Sequence, residues 1–479
     1  MIGRKQERQQ LDNLLTSSKA ELLTIIGRRR VGKTYLIREH YKKKIIFEFT
    51  GTQYANKKNQ LKKFAQKLQE YTNSSLPIAT PDDWASAFIL LKTWLKNQKP
   101  TKQKRVIFFD EVPWIASKRS GFLNEFSYWW NDWTSQQNIV VVICGSAASW
   151  MIDKVVNHKG GLHNRITEYI HLQPFTLAEV KAYLAAIPLH LDHYQVIQLY
   201  MSIGGIPHYL QHIRKGESAT QIINRLCFHK NGILRNEFNN LYAALYEGHE
   251  RHVAVVKALS TKWKGLTRKE IIQLTKLPNG GGLTQILTEL KSSSFIMEMI
   301  PFGKKRKDTL YRLIDEYSLF YLKFIEGERA GEKDIWLQTA QNNPYKIWRG
   351  YAFENICIKH VEAIKSSLGI TGVQTENSSF RHIGTAKEEG IQIDLLIDRN
   401  DQCINLCEMK FYNDDITLTK ADAEKLRRRR SRFQQITKTK KALFNTIVTT
   451  YGLTSNQYSS SQVDNVVDMD ILFLLESFK

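Results

Sequence analysis

The sequence predicts a multidomain α/β protein whose first domain is built on a parallel sheet. The chain has 479 residues, and at roughly 150 residues per domain this length corresponds to about three domains. Up to about residue 172, short apolar strands alternate with amphipathic helical stretches, a pattern typical of parallel strands joined by crossover helices. The predicted strands cover residues 22–26, 45–49, 106–109 and 139–144.

Composition narrows the class of partner and the compartment. Lys and Arg number 69 against 47 Asp and Glu, a net charge of +22, which favours a polyanionic partner such as nucleic acid or an acidic membrane. We expect nucleic acid, over the alternative of a basic surface that only keeps the protein soluble. Five cysteines without a paired CxxC spacing indicate neither a disulfide framework nor a zinc site. The chain shows no signal-peptide pattern and no run near ~18 apolar residues, so we expect a cytoplasmic protein without a membrane segment.

Residues 27–34 read GRRRVGKT and match the phosphate-binding pattern Gly-x-x-x-x-Gly-Lys-[Ser/Thr] between an apolar strand and a helix. Gly27 and Gly32 allow the backbone to wrap a phosphate, Lys33 can neutralise the β and γ oxygens, and Thr34 can ligate Mg²⁺. The alternative, a basic turn before a helix, fits the flanking strand and helix poorly. The motif leaves residues 28–30 unconstrained. We therefore expect a nucleotide phosphate with Mg²⁺ in this loop.

Polar residues follow two further strands of the predicted sheet. Asp110 and Glu111 end the strand at 106–109, and Ser146 follows the strand at 139–144. Acidic residues at the carboxyl ends of parallel strands face the ligand crevice. We expect Asp110 to hold Mg²⁺ through water, Glu111 to orient or deprotonate the attacking water, and Ser146 to sense the γ-phosphate.

Two helical regions follow the sheet. Residues 173–247 predict a helical lid, which is broken at the sequence GGIP of 204–207. Residues 248–326 predict a winged helix-turn-helix, because three helices precede a hairpin. The helices are expected at 253–259, 267–275 and 283–292, and the hairpin arms at 295–300 and 309–314.

The tip of that hairpin is basic. It carries Lys304, Lys305, Arg306 and Lys307, and we expect these four side chains to contact DNA phosphates, as a wing does. The alternative is a winged-helix unit that serves as a spacer between proteins. A polar linker is expected at 327–346.

The first three regions resemble the archaeal-type ATPase family, a branch of P-loop NTPases related to AAA+ and STAND proteins. The motifs that carry the resemblance are IGR at 2–4 with Glu7, GRRRVGKT at 27–34, FDE at 109–111, GSAASWM at 145–151, LHNR at 162–165, LQPF at 172–175 and GGIP at 204–207.

This resemblance implies ATP as the nucleotide and assigns further residues to it. It places Gly3 and Arg4 near the adenine, makes Ser146 the sensor, and packs Pro207 near the base. Arg165 would act at the phosphate of a neighbouring subunit, which implies a homo-oligomer; its alternative role is an ordinary salt bridge.

The last region predicts a cluster of acidic residues and a lysine. Residues 391–398 and 404–411 read as two strands around a turn. Glu408 and Lys410 are two apart and share a face. If the loop is centred on Asp401, Asp394 falls opposite Glu408. Two carboxylates so close repel, and Mg²⁺ held by Asp394 and Glu408 would relieve this while Lys410 positions water or stabilises a phosphate.

The Asp…Glu-x-Lys spacing resembles the PD-(D/E)XK nuclease superfamily, and residues 347–479 resemble the nuclease-like domain often fused to archaeal-type ATPases. This implies an α/β restriction-endonuclease-like fold, with Glu354 as the acidic residue of the leading helix and Gln392 as an extra member. Mn²⁺ is the alternative ion here. The basic run KLRRRRSR at 425–432 would guide a phosphate backbone or form a solvated helix face.

The sequence as a whole predicts an ATP-binding, ATP-hydrolysing and DNA-directed protein. Its domains are expected at 1–172 (P-loop ATPase core), 173–247, 248–326 and 347–479. The ATPase part would control a Mg²⁺-dependent nuclease in the last domain. The alternatives are a STAND-like ATP-dependent switch or a DNA-binding regulator whose nuclease-like domain is inactive and serves for binding.

Overall fold

The structure, a computed structural model, describes residues 1–72, 77–99, 101–117, 119–157, 162, 164–187, 189–328, 335–384 and 390–474. His163 of the LHNR motif and residues 329–334 of the expected linker lie outside them. The chain forms two compact units, Met1–Gln173 and Pro174–Lys479. None of the helices in the described ranges combines the length and apolar character needed to cross a bilayer.

The first unit is a five-stranded parallel sheet with helices between its strands. Its elements are α1 (Lys5–Thr16), β1 (Glu21–Ile26), α2 (Lys33–Tyr41), β2 (Ile45–Thr50), α3 (Lys57–Thr72), α4 (Trp84–Lys96), β3 (Arg105–Asp110), α5 (Val112–Ile115), α6 (Phe122–Asp132), β4 (Ile139–Gly145), α7 (Ala148–Met151) and β5 (Glu168–His171). The strand order is β2-β3-β4-β1-β5, and every pair is parallel. The multidomain α/β prediction with a parallel sheet is confirmed.

This topology gathers the polar strand ends at one edge. β1 and β4 lie inside the sheet and are buried along their whole length, which explains their unbroken apolar sequences. The loops that follow β1, β3 and β4 leave the same edge, because the strands run in parallel. β5 was not predicted from the sequence, because its four-residue stretch EYIH is too short and too polar to indicate a strand.

The second unit begins with helices that cover the region predicted as a lid. They are α8 (Leu177–Ala186), α9 (His193–Ile203), α10 (Pro207–Leu210), α11 (Ala219–Ile223) and α12 (Glu237–Leu245). The helical pattern breaks where the sequence predicted. A β-carbon on Gly205 would stand 1.9 Å from the Phe175 carbonyl oxygen, so only glycine allows this approach of two backbones.

Three helices and a small antiparallel sheet come next. They are α13 (Glu250–Ser260), β6 (Leu266–Thr267), α14 (Arg268–Thr275), α15 (Gly281–Ser292), β7 (Ile296–Met299), β8 (Leu310–Leu313) and α16 (Glu316–Phe320). The strand order is β6-β8-β7. Thr267 caps α14 in a capping box with Glu270, as its sequence predicts. The two-residue β6, which pairs with β8, was not predicted.

The last part of the second unit is a mixed sheet with its own helices. These elements are α17 (Ile335–Thr339), α18 (Asn343–Lys359), α19 (Val361–Ser367), β9 (Thr375–His382), β10 (Ile391–Arg399), β11 (Cys403–Lys410), α20 (Lys420–Thr437), β12 (Ala442–Thr449), α21 (Gln457–Gln462) and β13 (Asn465–Val467). The order is β13-β12-β11-β10-β9. β10 is antiparallel to β9 and β11, whereas β12 is parallel to β11 and β13.

The stretch expected to be a linker differs from the prediction. Its described end forms α17 and the start of α18, and Trp336 is buried against Phe228, with ring centroids 5.2 Å apart. The aromatic side chains stabilise this packing, because burying them contributes more stabilising free energy than the polar residues around them cost. α18 also contacts earlier elements, since Asn355 Nδ2 donates to the Leu313 carbonyl at 3.2 Å. The mixed sheet and the small sheet are thereby joined within the second unit.

Candidate functional site

The loop between β1 and α2 has the backbone conformation that a phosphate-binding loop needs. Gly27 has φ +148°, and a β-carbon there would lie 2.4 Å from the Leu172 carbonyl oxygen. Gly32 has φ +94° and precedes the first residue of α2. Both positions therefore require glycine, and the loop leads its backbone into the start of a helix, where amide groups favour an anion.

The ammonium group of Lys33 lies inside this loop. Lys33 is buried, and its Nζ donates to the carbonyls of Gly27 at 2.8 Å and Arg28 at 3.0 Å. These bonds hold the positive charge at the centre of the loop. Arg28 is also buried, so packing constrains a position that the motif leaves open.

Thr34 and Asp110, the two residues predicted to bind magnesium in the phosphate loop region, are in contact with each other. The Thr34 hydroxyl donates to Asp110 Oδ2 at 2.8 Å, and it joins the start of α2 to the end of β3. A hydroxyl and a carboxylate are the oxygen donors that Mg²⁺ prefers. The donor set therefore fits a Mg²⁺ ion that also binds phosphate oxygens.

Glu111 and Ser146 form a second contact between neighbouring strand ends. Glu111 Oε2 accepts hydrogen bonds from the Ser146 amide at 3.1 Å and from its hydroxyl at 2.8 Å. Glu111 has φ +49°, a left-handed conformation that is uncommon for a side-chain-bearing residue. The carboxylate is thus oriented by the residue predicted to sense the γ-phosphate.

The remaining residues predicted to bind nucleotide are placed differently from one another. Gly3 has φ +67°, and Arg4 Nη2 donates to the Val31 carbonyl of the loop at 3.1 Å. Arg165 is exposed in the turn that precedes β5. Pro207 is the first residue of α10 in the second unit. The structure brings Arg4 to the phosphate loop and leaves Arg165 at the surface.

In the mixed sheet, the register of β10 and β11 is the one that the sequence predicts. Leu395 pairs with Cys407 and Asp398 with Ile404, so the three-residue loop between the strands is centred on Asp401. The paired residues end at Leu395 and Cys407, and the register of β10 against β9 shifts between Ile393 and Leu396, the stretch that holds Asp394. The predicted placement of Asp394 opposite Glu408 is therefore not among the paired positions. Gln392 Nε2 donates to Asp394 Oδ1 at 2.5 Å.

Glu408 has two basic partners of its own. Lys410 Nζ lies 2.9 Å from Glu408 Oε1, and Arg429 of α20 bonds the other carboxylate oxygen. Burial would raise the pKa of Glu408, but the positive charges of Arg429 and Lys410 outweigh it and lower the pKa to about 2. Glu408 and Lys410 line a small cleft together with Asp422 and Lys425.

Glu354 of α18 faces the same group of charges. Its Oε2 is buried without a hydrogen-bond partner in the described residues. Burial and the charge of Asp394, with a smaller effect from Glu408, raise the pKa of Glu354 to about 8. The carboxyl group of Glu354 is therefore held in an environment that disfavours its charged form.

Two basic residues that were not predicted from the sequence lie near these carboxylates, in or next to the small sheet. Arg312 of β8 lies with Nη2 3.7 Å from Glu354 Oε2, and Lys264, just before β6, lies with Nζ 3.9 Å from Asp394 Oδ1. Within the described ranges, no group of three or more His, Cys, Asp or Glu side chains gathers closely enough to hold a metal ion. Each carboxylate has a basic neighbour.

The hairpin between β7 and β8 presents the predicted basic tip. Lys304, Lys305, Arg306 and Lys307 are all exposed. The base of the tip is held against the mixed sheet, because the Phe302 amide donates to the Ser379 carbonyl at 2.8 Å and the Phe302 ring lies 5.4 Å from that of Phe433.

Comparison with known proteins places the first part of the chain. Residues 1–213 match the model of an ATPase domain found predominantly in Archaea. This part of the chain is therefore similar to an ATPase domain of the archaeal type. This agrees with the nucleotide that the sequence resemblance implied, and Mg²⁺ typically accompanies nucleotide in such domains.

Individual relatives extend the likeness beyond that domain. The uncharacterized protein MJECL04 of Methanocaldococcus jannaschii is 23% identical over 419 residues, which cover 86% of this chain and 87% of that protein. The Walker-type ATPase PABY2304 of Pyrococcus abyssi has a similar fold, with a TM-score of 0.51 and 19% identity, over 67% of this chain and 96% of that chain. The Aeropyrum pernix ORC2 protein, in ADPNP-ADP complexes, gives a TM-score of 0.42 at 14% identity, over 67% of this chain and 92% of that one.

Proposed function

We propose that the ATPase domain binds and hydrolyses ATP and thereby controls a metal-dependent DNA nuclease in the second unit. The proposal joins two sites of different chemistry. The first consists of Lys33, Thr34, Asp110, Glu111 and Ser146, and the second of Glu354, Asp394, Glu408 and Lys410.

Each residue of the phosphate loop has a distinct task in the proposed ATPase reaction. Lys33 neutralises the β and γ oxygens once they replace the loop carbonyls as its partners. Thr34 and Asp110 would hold Mg²⁺, which neutralises charge on the phosphates when bound. Glu111, oriented by Ser146, aligns the attacking water and accepts its proton.

The observation that carries the nuclease proposal is that Asp394 and Glu408 stand where the paired part of β10 and β11 ends. The last pair is Leu395 with Cys407, and Asp394 and Glu408 are the next residue of each strand. Together with burial, both carboxylates raise the pKa of the Glu354 carboxyl of α18, and Lys410 pairs with Glu408 at 2.9 Å. Polar residues that occur by chance on a solvent-exposed sheet face would be exposed. The side chains of Glu354 and Glu408 are instead largely buried.

These residues suit hydrolysis of a phosphodiester. Asp394 and Glu408 would hold Mg²⁺ or Mn²⁺, which acidifies a bound water and draws charge from the scissile phosphate. The Lys410 ammonium stabilises the negative charge that develops on the phosphate oxygens. Glu354 adds a third carboxyl group from α18, within electrostatic range of Asp394 and Glu408.

DNA as the substrate is supported by charge. The net charge of +22 and the exposed wing cations at 304–307 would attract a phosphate backbone. Because this attraction is electrostatic, the affinity of DNA for the protein would fall as the salt concentration rises. The wing base is held against the mixed sheet by Phe302, so a backbone bound to the wing would pass beside the proposed nuclease residues.

The second candidate function is an ATP-dependent switch whose nuclease-like sheet only binds. Its supporting observation is that Arg429 and Lys410 already neutralise Glu408. A permanent ion pair of this kind would leave no ligand for a metal ion. The two candidates differ in whether DNA is cut.

A cleavage assay separates them. Supercoiled and linear DNA are incubated with the full chain and Mg²⁺ or Mn²⁺. We expect the Glu408→Ala, Lys410→Ala double variant and the Asp394→Asn variant to cut at least roughly 100-fold more slowly than the wild type. Asp398→Asn, on the same strand but paired with Lys441 at 2.5 Å, is the matched control and should cut normally. Equal cutting by the double variant and the wild type would refute the nuclease site.

A further inference from the structure

Two basic side chains in or next to the small sheet lie beside the carboxylates of the proposed nuclease centre. Leu266 of β6 pairs with Tyr311 of β8, so Lys264, two residues before Leu266, and Arg312, next to Tyr311, lie near this pair. A β-carbon on Gly265 would lie 2.7 Å from the Tyr311 carbonyl oxygen, so the backbone before β6 approaches β8 as closely as only glycine permits.

The contact between Arg312 and Glu354 is incomplete as an ion pair. The closest atoms, Nη2 and Oε2, are 3.7 Å apart, which is beyond hydrogen-bond distance. In the described residues, Nε and Nη2 of Arg312 and Oε2 of Glu354 are all buried without a hydrogen-bond partner. Buried polar atoms without hydrogen bonds raise the free energy of the folded state. The contact between Arg312 and Glu354 is therefore less favourable than a hydrogen-bonded structural salt bridge would be.

Contacts of neighbouring residues hold Arg312 and Glu354 in this unfavourable arrangement. Asn355, next to Glu354, donates to the carbonyl of Leu313, next to Arg312. Trp263, next to Lys264, stacks on Tyr351 of α18 with centroids 5.4 Å apart and planes 10° apart. The small sheet is therefore fastened to α18 on both sides of the charged groups, and the charges are held together by their neighbours.

We propose that Arg312 and Lys264 are internal counter-cations that weaken the binding of a divalent metal ion at the Glu354 and Asp394 carboxylates. The inference rests on the proposed nuclease function and adds its regulation. A monovalent cation beside each carboxylate satisfies part of its charge and repels an incoming Mg²⁺ or Mn²⁺.

The test measures Mn²⁺ binding to the full chain by calorimetry, without nucleotide or DNA. Arg312→Met and Lys264→Met remove each charge while leaving an apolar stem, and Lys262→Met is the control because Lys262 pairs with Glu270 at 2.6 Å instead. We expect the first two variants to bind Mn²⁺ roughly ten- to a hundredfold more tightly than the wild type. The control should match the wild type.

The site is identified by adding Asp394→Asn to each variant, which should abolish the gain. Lys264 is about a third exposed, so Lys264→Met remains informative if loss of the buried Arg312 unfolds the protein in circular dichroism. Mn²⁺ binding that depends on Asp394 but is unchanged by both methionine variants overturns the counter-cation proposal and leaves the nuclease proposal intact. Absence of any Asp394-dependent binding in all variants overturns both.

Discussion

Replacing Lys33 with alanine is expected to remove ATP binding almost completely. Lys33 is the buried positive charge at the centre of the phosphate loop, and its loss leaves the β and γ oxygens without a charged partner. Truncating one member of a buried charged pair costs about 2–5 kcal/mol, which lowers affinity by roughly 30-fold or more. Calorimetric titration with ATP and Mg²⁺ measures the effect.

Lys42→Ala is the matched control, because Lys42 is exposed just after the end of the same helix. It removes an equal charge and should leave ATP affinity near that of the wild type. An affinity of Lys33→Ala within threefold of the control would show that the loop does not bind the phosphates as described.

Replacing Glu111 with glutamine is expected to stop ATP hydrolysis and spare ATP binding. Glutamine has nearly the same shape and can still accept hydrogen bonds from Ser146, but its amide cannot take a proton from water. Loss of a positioned general base costs roughly 10²- to 10⁴-fold in rate. Release of phosphate under saturating ATP measures the turnover rate, and the same ATP titration measures affinity.

Glu39→Gln provides the comparison for this variant, since Glu39 lies exposed on α2. Its turnover should equal that of the wild type. Glu111 would be excluded as the general base if Glu111→Gln hydrolysed ATP as fast as Glu39→Gln. A parallel loss of affinity would instead assign Glu111 to nucleotide binding.

The first unit could be predicted closely because its chemistry is local in sequence. The phosphate loop needs a strand, two glycines and a helix in one short stretch, and Asp110 and Ser146 stand directly at strand ends. Parallel strands place such ends at one edge, so the contact between Thr34 and Asp110 follows from topology. Burial of Arg28 was missed, because it depends on how the loop packs rather than on the motif.

The C-terminal site was only partly predictable. The register of β10 against β11 follows from the centre of a short hairpin loop, which a sequence can reveal. The irregularity of β10 between Ile393 and Leu396 has no sequence signal, so the placement of Asp394 against Glu408 stays a prediction. Arg312, Lys264 and Arg429 come from elements far along the chain, and long-range packing alone brings them to the carboxylates. One local signal was available, since Arg312 occupies a buried position in the otherwise apolar arm LYRLI and therefore required a charged partner.

The central claim is that nucleotide held by Lys33 governs cleavage of DNA by the second unit. The direct measurement is the rate of supercoiled DNA cleavage with Mg²⁺, in the presence and absence of ATP, for the wild type and for Lys33→Ala. We predict that ATP changes the wild-type rate by roughly fivefold or more and leaves the Lys33→Ala rate unchanged. Wild-type cleavage at the same rate with and without ATP would contradict the claim.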